Sequence, residues 1–204
     1  MTNLFIFLLF SLSCVLLPLG FEKFGLYSIT FILAAIFFRY FWKYSSFVFF
    51  RVLLIGYLSS NISDLFRIYL GDSQGDAENF FNVLKEGSFA DILLYYNLLE
   101  NSFPIFIWHN FISLINSLGY TYAHHVPVLM NIVFMGVSAL ILQNISLSLF
   151  GYDNYRRRRL ITFFTFNGFV WMFSGMLLRD SFIFFLMTLS ILVCLNLLRR
   201  RLTL

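Results

Sequence analysis

The stretch SFIFFLMTLSILVCLNLL, residues 181–198, contains no Asp, Glu, Lys or Arg side chain. A helix crosses the hydrocarbon core of a bilayer with about 20 largely apolar residues, so this stretch predicts a membrane-spanning helix. The whole chain has the same character, because 60% of its residues are hydrophobic and only 12% are charged. Soluble domains carry about 25% charged residues. The sequence therefore predicts an integral membrane protein.

Apolar runs divide the rest of the chain. Besides the run at 181–198, they lie at about 3–20, 26–41, 46–60, 126–150 and 160–178. The predicted fold class is all-α, a polytopic helical membrane protein with about six transmembrane helices. We expect a single integral membrane domain over 1–204, with an N-terminal hairpin at 1–45, an external loop with juxtamembrane helices at 61–125, and C-terminal spans at 126–204.

Basic residues give the expected orientation, because Lys and Arg in short loops favour the cytoplasmic side. They cluster at Arg39, Lys43 and Arg51, at Arg156–Arg159 and at Arg199–Arg201. This pattern predicts a cytoplasmic N-terminus and an external loop on the opposite side. It also predicts that residues 103–118, although fairly apolar, do not span the membrane. They are expected to be interfacial, re-entrant or packed on the helical bundle.

The predicted external loop is rich in carboxylates. It holds seven of the ten acidic residues, three of them in GDSQGDAENFF, residues 71–81. Residues 76–86 and 89–100 have the pattern of short helices, broken at Gly87. The predicted topology also brings a turn at Arg179 and Asp180 to the same side of the membrane. An ionisable pair between two apolar runs is a candidate functional site in a membrane protein.

Two short motifs carry a resemblance to a known superfamily. Gly-Asp-Ala-x-x-Phe at 75–80 lies in the external loop, and a later span ends in Leu-Leu-Arg-Asp-Ser at 177–181. Over roughly residues 50–200 this arrangement resembles the N-terminal half of a GT-C superfamily membrane glycosyltransferase. It is similar also to O-antigen and exopolysaccharide polymerases. These families usually have more spans than the six predicted here, so a missing C-terminal half or a partner subunit stays open.

The resemblance implies transfer or polymerisation of sugars from a polyprenyl-phosphate-linked donor at the external face. It implies a place in a bacterial inner membrane and a role in building the cell envelope. Membrane lipids and the lipid-linked donor are the expected partners. Nucleic acid is not an expected partner, because the basic residues lie beside apolar runs and are explained as orientation signals. An acid in the first external loop, in an Asp-x-x-x-Phe setting, lies at the active site of such enzymes, and Asp76 with Phe80 matches that setting.

Glycosyl transfer needs a base for the acceptor hydroxyl and positive charge for the leaving phosphate. Asp76 is the candidate base, with Asp72 as the alternative four residues earlier. Arg179 is the candidate phosphate ligand, because its guanidinium matches phosphate oxygens. Asp180 could orient that arginine or face the acceptor.

Two further groups complete the candidate site. His124 and His125 could contact phosphate or shuttle a proton. Asp72, Asp76 and Glu78 together could hold a divalent cation, although no cofactor is certain from the sequence.

Each motif also has a structural interpretation. Asp72 and Asp76 could solvate a loop or cap a helix, and the histidines could simply lie in an interfacial loop. The Arg179–Asp180 pair could be a polar turn. Arg156–Arg159 is read chiefly as a topology signal, with contact to anionic lipid as a secondary consequence.

The same residues bear on other functional classes. Glycine-rich phosphate loops and the zinc motifs Cys-x-x-Cys and His-Glu-x-x-His do not occur in the sequence. A transporter of lipid-linked oligosaccharide or a small solute is the alternative, and a non-catalytic membrane subunit is a third. Concentration of ionisable residues at one face favours the enzyme, whereas Asn131, Gln143 and Asn167 within predicted spans favour the transporter.

Overall fold

The computed structural model describes residues 21–41, 47–70, 107–114, 117, 125–168 and 180–202. Nearly all of these residues belong to six helices: α1 (Phe21–Phe41), α2 (Phe47–Leu70), α3 (107–114), α4 (His125–Phe150), α5 (Asn154–Phe166) and α6 (Asp180–Leu202). Three segments are long and apolar enough to cross a membrane: Phe47–Asp64, Val126–Phe150 and Asp180–Arg199. The prediction of an all-α helical membrane protein is confirmed.

Aromatic side chains join α1 to α2. The Tyr27 and Tyr57 rings pack edge to face at 4.7 Å, and Phe38 lies 4.9 Å from Phe49 between ring centroids. Later residues of α1 thus meet earlier residues of α2, so the two helices are antiparallel. Edge-to-face pairs add about 0.5–1.5 kcal/mol each beyond the area they bury. This ladder of rings fixes the register of the N-terminal helix against the bundle.

Two glycines allow α2 and α4 to approach closely. A Cβ built on Gly56 would lie 2.7 Å from the Ile132 side chain, and one built on Gly136 would lie 2.8 Å from the Phe49 ring. Small residues commonly serve this purpose between membrane helices, where packing replaces the hydrophobic effect. The two contacts also show that α2 and α4 are antiparallel. α4 is the central helix, with 72% of its spanning segment buried.

Gly56→Ala is expected to destabilise the protein by about 1–3 kcal/mol, the usual cost of overpacking a tight contact. The new methyl group would overlap both γ carbons of Ile132, and a β-branched side chain has little freedom to move away. Unfolding titrations in mixed micelles would measure the change. Gly168→Ala is the matched control, since a Cβ there meets no atom of the described residues within 4 Å. Equal stability of the two variants would contradict the close approach of α2 and α4.

α2 is longer than the sequence indicates. The predicted span ended near residue 60, where polarity rises, but the helix continues to Leu70. The polar residues just beyond that point do not end the helix, because they are buried against neighbouring helices rather than exposed in a loop. Asn61 is only 1% exposed and Asp64 is 9% exposed.

α5 also differs from the predicted span at 160–178. The helix begins at Asn154, after the Asp153 cap, and ends at Phe166. Asn167 is extended, with φ −67° and ψ 130°, so the run is not one continuous helix. Asn and Gly at 167 and 168 are poor helix formers, which accounts for the break. Residues 169–179 lie outside the described part of the chain.

The Asp153 carboxylate caps α5. It accepts hydrogen bonds from the Tyr155 and Arg156 N–H groups at 3.1 Å each. The preceding turn is closed by Gly151, whose φ of 55° ends α4 in the left-handed region that glycine favours. The four arginines thus follow a capped turn and lie on the first two turns of a helix, where the sequence predicted a basic loop.

Asp153→Ala is expected to destabilise the protein by about 1 kcal/mol, since both N–H groups lose their acceptor. Asp153→Asn keeps a capping oxygen and removes only the charge. It should stay within a few tenths of a kcal/mol of the unaltered protein, because the ion pair to Arg156 is exposed. Thermal unfolding of both variants would separate the two effects. A larger loss for the Asn variant would show that charge, not capping, is the main contribution of Asp153.

α3 packs on the bundle, which is one of the three placements predicted for residues 103–118. Trp108 and Ile112 are buried in the same core cluster as Tyr27 and Tyr57. Phe111 and Leu114, on the other side of the helix, are exposed. Residues 107–114 therefore have one side buried in the bundle and one side exposed.

Candidate functional site

A row of polar side chains lies on one face of α2. Tyr57, Ser60, Asn61 and Asp64 are spaced three and four residues apart, and all are buried. Tyr27 of α1 completes the group, because its ring packs on Tyr57 and its hydroxyl lies beside Ser60 and close to Asp64. These five residues form what we call the polar cluster. It brings a carboxylate, an amide and three hydroxyls into the interior of a membrane bundle.

Hydrogen bonding in the polar cluster is incomplete. The Tyr27 hydroxyl and both polar atoms of the Asn61 amide are buried with no hydrogen-bond partner among the described residues. Ser60 is near the Tyr27 hydroxyl, but the two do not have hydrogen-bonding geometry. A buried polar group left in this state costs about 1–3 kcal/mol. Such groups are therefore candidates for binding a ligand or water.

Buried hydroxyls elsewhere in the spans behave differently. Ser138 donates to the Phe134 carbonyl at 2.8 Å, and Thr165 donates to the Ile161 carbonyl at 2.8 Å. Thr188 likewise donates to the Phe185 carbonyl at 2.9 Å. Each of these side chains is satisfied by its own helix and needs no other partner. Among the described residues, six buried side-chain nitrogen and oxygen atoms have no hydrogen-bond partner, and three of them belong to Tyr27 and Asn61 of the polar cluster.

An apolar groove runs between α1 and α4 on the same side of α2. Its volume is about 500 Å³. Its lining includes Thr30, Leu33 and Ala34 of α1, and Val137, Ile141 and Asn144 of α4. The walls are almost wholly apolar, with the two polar side chains near opposite ends. We call this feature the α1–α4 groove.

The groove leads toward the polar cluster. Thr30 lies one helical turn from Tyr27, a rise of about 4.5 Å along α1. The polar cluster and the groove follow one another along α1. The polar cluster lies toward the N-terminus of α1, and the groove extends toward its C-terminus. An amphipathic molecule could thus place an apolar chain in the groove and a polar head at the cluster.

The basic residues lie toward the opposite end of the bundle. Arg39 is in the last turn of α1, Arg51 is in the second turn of α2, and Arg156–Arg159 follow the end of α4. The guanidinium of Arg51 is half-buried and lies over the rings of Phe47, at 4.6 Å, and Phe166, at 5.5 Å. The structure therefore places Arg39, Arg51 and Arg156–Arg159 toward one end of the bundle. The assignment of this end to the cytoplasm remains a prediction.

Of the sequence-predicted site residues, two fall within the described helices. Asp180 is the first residue of α6 and is partly buried, in the position where a carboxylate interacts favourably with the helix dipole. His125 is the first residue of α4, at the end of the bundle that carries the polar cluster. The others lie outside the described residues: Asp72, Asp76, Glu78, Phe80, His124 and Arg179. Their roles, including the cation site, stay predictions.

Within the described ranges, no group of three or more His, Cys, Asp and Glu residues is placed to hold a metal ion. The polar cluster contains one such residue, Asp64, together with hydroxyl and amide groups. Its chemistry suits hydrogen bonding to hydroxyls and phosphate oxygens rather than a protein-only metal centre.

Hydropathy alone does not indicate the polar cluster, but the spacing of its α2 residues does. Tyr57, Ser60, Asn61 and Asp64 follow the spacing of a single helical face. Because polarity rises after residue 60, the span was expected to end there. The helical spacing of these residues instead indicates that the helix continues beyond residue 60 and that one of its faces is polar. Tyr27 gives no comparable signal, since only the packing of α1 on α2 brings it to the cluster.

Comparisons with protein-family models, with curated proteins and with solved structures gave no match to this chain. The resemblance to membrane glycosyltransferases therefore rests on the motifs of the sequence. What the structure itself defines is a class: an all-α helical membrane protein whose bundle contains the polar cluster and an apolar groove. In that cluster the Tyr27 hydroxyl and the Asn61 amide have no hydrogen-bond partner among the described residues.

Proposed function

We propose that this protein binds a polyprenyl-phosphate-linked sugar and acts as a membrane glycosyltransferase or part of one. The observation that carries the proposal is the position of the α1–α4 groove, whose lining includes Thr30, one helical turn along α1 from Tyr27 of the polar cluster. A lipid-linked sugar has the same division into an apolar chain and a polar head. The end of the bundle that carries the polar cluster faces outward in this proposal, and the arginine-bearing end faces the cytoplasm of a bacterial cell.

The groove is suited to the lipid chain. Its volume of about 500 Å³ falls within the range of about 300–1,000 Å³ typical of small-molecule sites. Its walls are formed by apolar side chains that cannot hydrogen-bond to a polar ligand, among them Leu33, Ala34, Val137 and Ile141. An isoprenoid chain could lie in the groove between α1 and α4 with its apolar surface against these side chains.

The polar cluster is suited to the head of the donor. The Asn61 amide offers two N–H donors and an acceptor, and the Tyr27 hydroxyl offers one donor. Sugar hydroxyls and phosphate oxygens would satisfy these groups, which lack hydrogen-bond partners among the described residues. Asp64 would accept hydrogen bonds from sugar hydroxyls. Binding would be favoured largely because Asn61 and Tyr27 would gain the hydrogen-bond partners that they lack among the described residues.

The chemistry would take place in the external loop. The acceptor hydroxyl attacks the anomeric carbon of the donor while its proton passes to the Asp76 carboxylate. The bond from the anomeric carbon to the phosphate oxygen breaks, and the polyprenyl phosphate leaves with the negative charge. Arg179 would stabilise that charge with its guanidinium. Asp180 at the start of α6 would hold Arg179 in position.

Filling the groove tests the binding site. Ala34→Phe places a ring among the groove residues and should weaken binding of a polyprenyl phosphate by about tenfold or more, equivalent to about 1.4 kcal/mol. Ile36→Phe is the matched control, because Ile36 lies on the same helix, is 48% exposed and does not line the groove. Binding would be measured by native mass spectrometry from micelles. Equal loss in both variants, or no loss in either, would remove the groove from the proposal.

Asp64 supports a second candidate function, a transporter of a small solute or of a lipid-linked oligosaccharide. An ionisable side chain in the interior of a membrane bundle often marks a transport pathway, and Asp64 is only 9% exposed. Reconstituted vesicles distinguish the two functions. Movement of a labelled lipid-linked sugar across the bilayer without any new glycosidic bond would favour the transporter, and Asp64→Asn should then abolish the flux.

A further inference from the structure

A second concave site lies at the arginine-bearing end, outside the proposed donor site. It has a volume of about 850 Å³ and is lined by Phe150 at the end of α4 and by Tyr155, Arg156, Arg158, Arg159 and Phe163 of α5. We call it the arginine pocket. Arg157, the remaining member of the basic run, does not line the pocket and donates to the Asn154 side chain at 3.5 Å.

The charges of this pocket are poorly balanced by the protein. Four guanidinium groups occupy the first two turns of α5, where the helix dipole also contributes positive charge. Cations at that end of a helix are unfavourable, and so is their mutual repulsion. The capping carboxylate of Asp153 pairs with Arg156 at 3.2 Å, and that pair is exposed. Arg158 and Arg159 form no ion pair among the described residues. A bound anion would offset both unfavourable terms.

The pocket also has an apolar and aromatic lining. Phe163 is 71% exposed and Tyr155 is 63% exposed, although both are large hydrophobic side chains. The Arg159 guanidinium lies over the Tyr155 ring at 4.5 Å, which keeps it in a fixed orientation without neutralising it. Aromatic rings beside basic groups at the end of a spanning helix are typical of the bilayer surface, where headgroup and acyl chain meet.

We propose that the arginine pocket binds the headgroup of an anionic phospholipid from the leaflet at that end of the bundle. The phosphate lies between Arg158 and Arg159, and the glycerol and upper acyl chain lie against Phe150 and Phe163. A soluble phosphate would gain from the arginines but not from the apolar lining. The lipid headgroup uses both parts of the pocket and is already at the required depth.

The test is selective lipid retention. The full chain is placed in nanodiscs of three parts phosphatidylcholine to one part phosphatidylglycerol, and native mass spectrometry counts the lipids that remain bound after release. The unaltered protein should retain phosphatidylglycerol in preference to phosphatidylcholine. The double variant R158Q/R159Q should lose that preference by about tenfold, since both phosphate ligands are removed. Both side chains are exposed, so the substitutions leave the helix packing intact.

The double variant R39Q/R199Q is the matched control, because it removes two positive charges outside the pocket. It should keep the preference of the unaltered protein. A similar loss in the two double variants, or no loss in R158Q/R159Q, would overturn the proposal. So would displacement of phosphatidylglycerol by glycerol phosphate alone, which would assign the pocket to a soluble anion. None of these outcomes depends on sugar transfer, so the test is independent of the proposed glycosyltransferase function.

Discussion

Asn61→Leu should make the protein more stable and at the same time unable to bind a lipid-linked sugar. The Asn61 side chain is 1% exposed, and neither its amide nitrogen nor its amide oxygen has a hydrogen-bond partner among the described residues. Replacing an unsatisfied polar group with an apolar one of similar shape removes a cost of about 1–3 kcal/mol. The same substitution removes two donors and one acceptor from the polar cluster. Unfolding titrations and polyprenyl phosphate binding would measure the two effects on one preparation.

Ser138→Ala provides the control for this prediction. Ser138 is also buried in a spanning helix, but its hydroxyl already donates to the Phe134 carbonyl. Removing it should leave binding unchanged and should not raise stability. A gain in stability by Asn61→Leu together with lost binding is the pattern expected where stability has been exchanged for function. Lower stability of Asn61→Leu, with binding intact, would show that the amide serves the fold and not a ligand.

Asp76→Asn should abolish sugar transfer while leaving donor binding intact. The amide cannot accept the proton of the acceptor hydroxyl, and loss of a general base typically lowers the rate by about 10²–10⁴-fold. Since the groove and the polar cluster are formed by α1, α2 and α4, the donor should still bind. Transfer would be followed with a radiolabelled polyprenyl-phosphate sugar and the purified chain in lipid vesicles.

Asp153→Asn is a suitable comparison for Asp76→Asn, because it makes the same chemical change at an exposed capping position. It should transfer sugar at the rate of the unaltered chain. Transfer by Asp76→Asn at that same rate would exclude Asp76 as the base and would make Asp72 the next candidate. Complete absence of transfer by the unaltered chain, with the donor bound, would favour a binding subunit over an enzyme.

The sequence predicted the long apolar helices well, because their residues face lipid or other apolar side chains along their whole length. The expected run at 126–150 corresponds to α4, and the expected run at 181–198 corresponds to α6. In these segments hydropathy and helix length follow the same physical requirement, burial of backbone groups in a bilayer. α6 is recognised as easily as α4, although only 17% of its spanning segment is buried in the protein.

Helix ends were predicted less accurately, because polarity is a poor guide where polar residues are buried. α2 passes through Asn61 and Asp64 to Leu70, since its polar face is covered by other helices. α5 begins among the arginines because Asp153 caps it, and it stops at Asn167 within an apolar run. In both cases a tertiary contact or a local backbone preference determines where the helix begins or ends. Average hydropathy gives no information about either of these causes.

The candidate site likewise combines residues chosen by their type with contacts that depend on helix packing. Asp76 and Arg179 were selected by residue type and by their predicted side of the membrane, and both lie outside the described residues, so their roles stay predictions. The polar cluster depends on the contact between Tyr27 and Tyr57, residues thirty positions apart that meet only because α1 packs antiparallel to α2. The α1–α4 groove likewise depends on helix pairing. The local sequence indicates only the part of the polar cluster that lies on α2, through the helical spacing of its residues.

Photo-crosslinking is the most direct test of the central claim that the α1–α4 groove holds the lipid chain of a polyprenyl-linked donor. A polyprenyl phosphate carrying a diazirine in its chain would be bound to the purified protein in micelles, irradiated, and mapped by peptide mass spectrometry. The account predicts adducts concentrated at Leu33, Ala34, Val137 and Ile141, and lost in Ala34→Phe. Adducts spread over exposed lipid-facing residues of α6 such as Leu186 and Val193, with none in the groove, would contradict it.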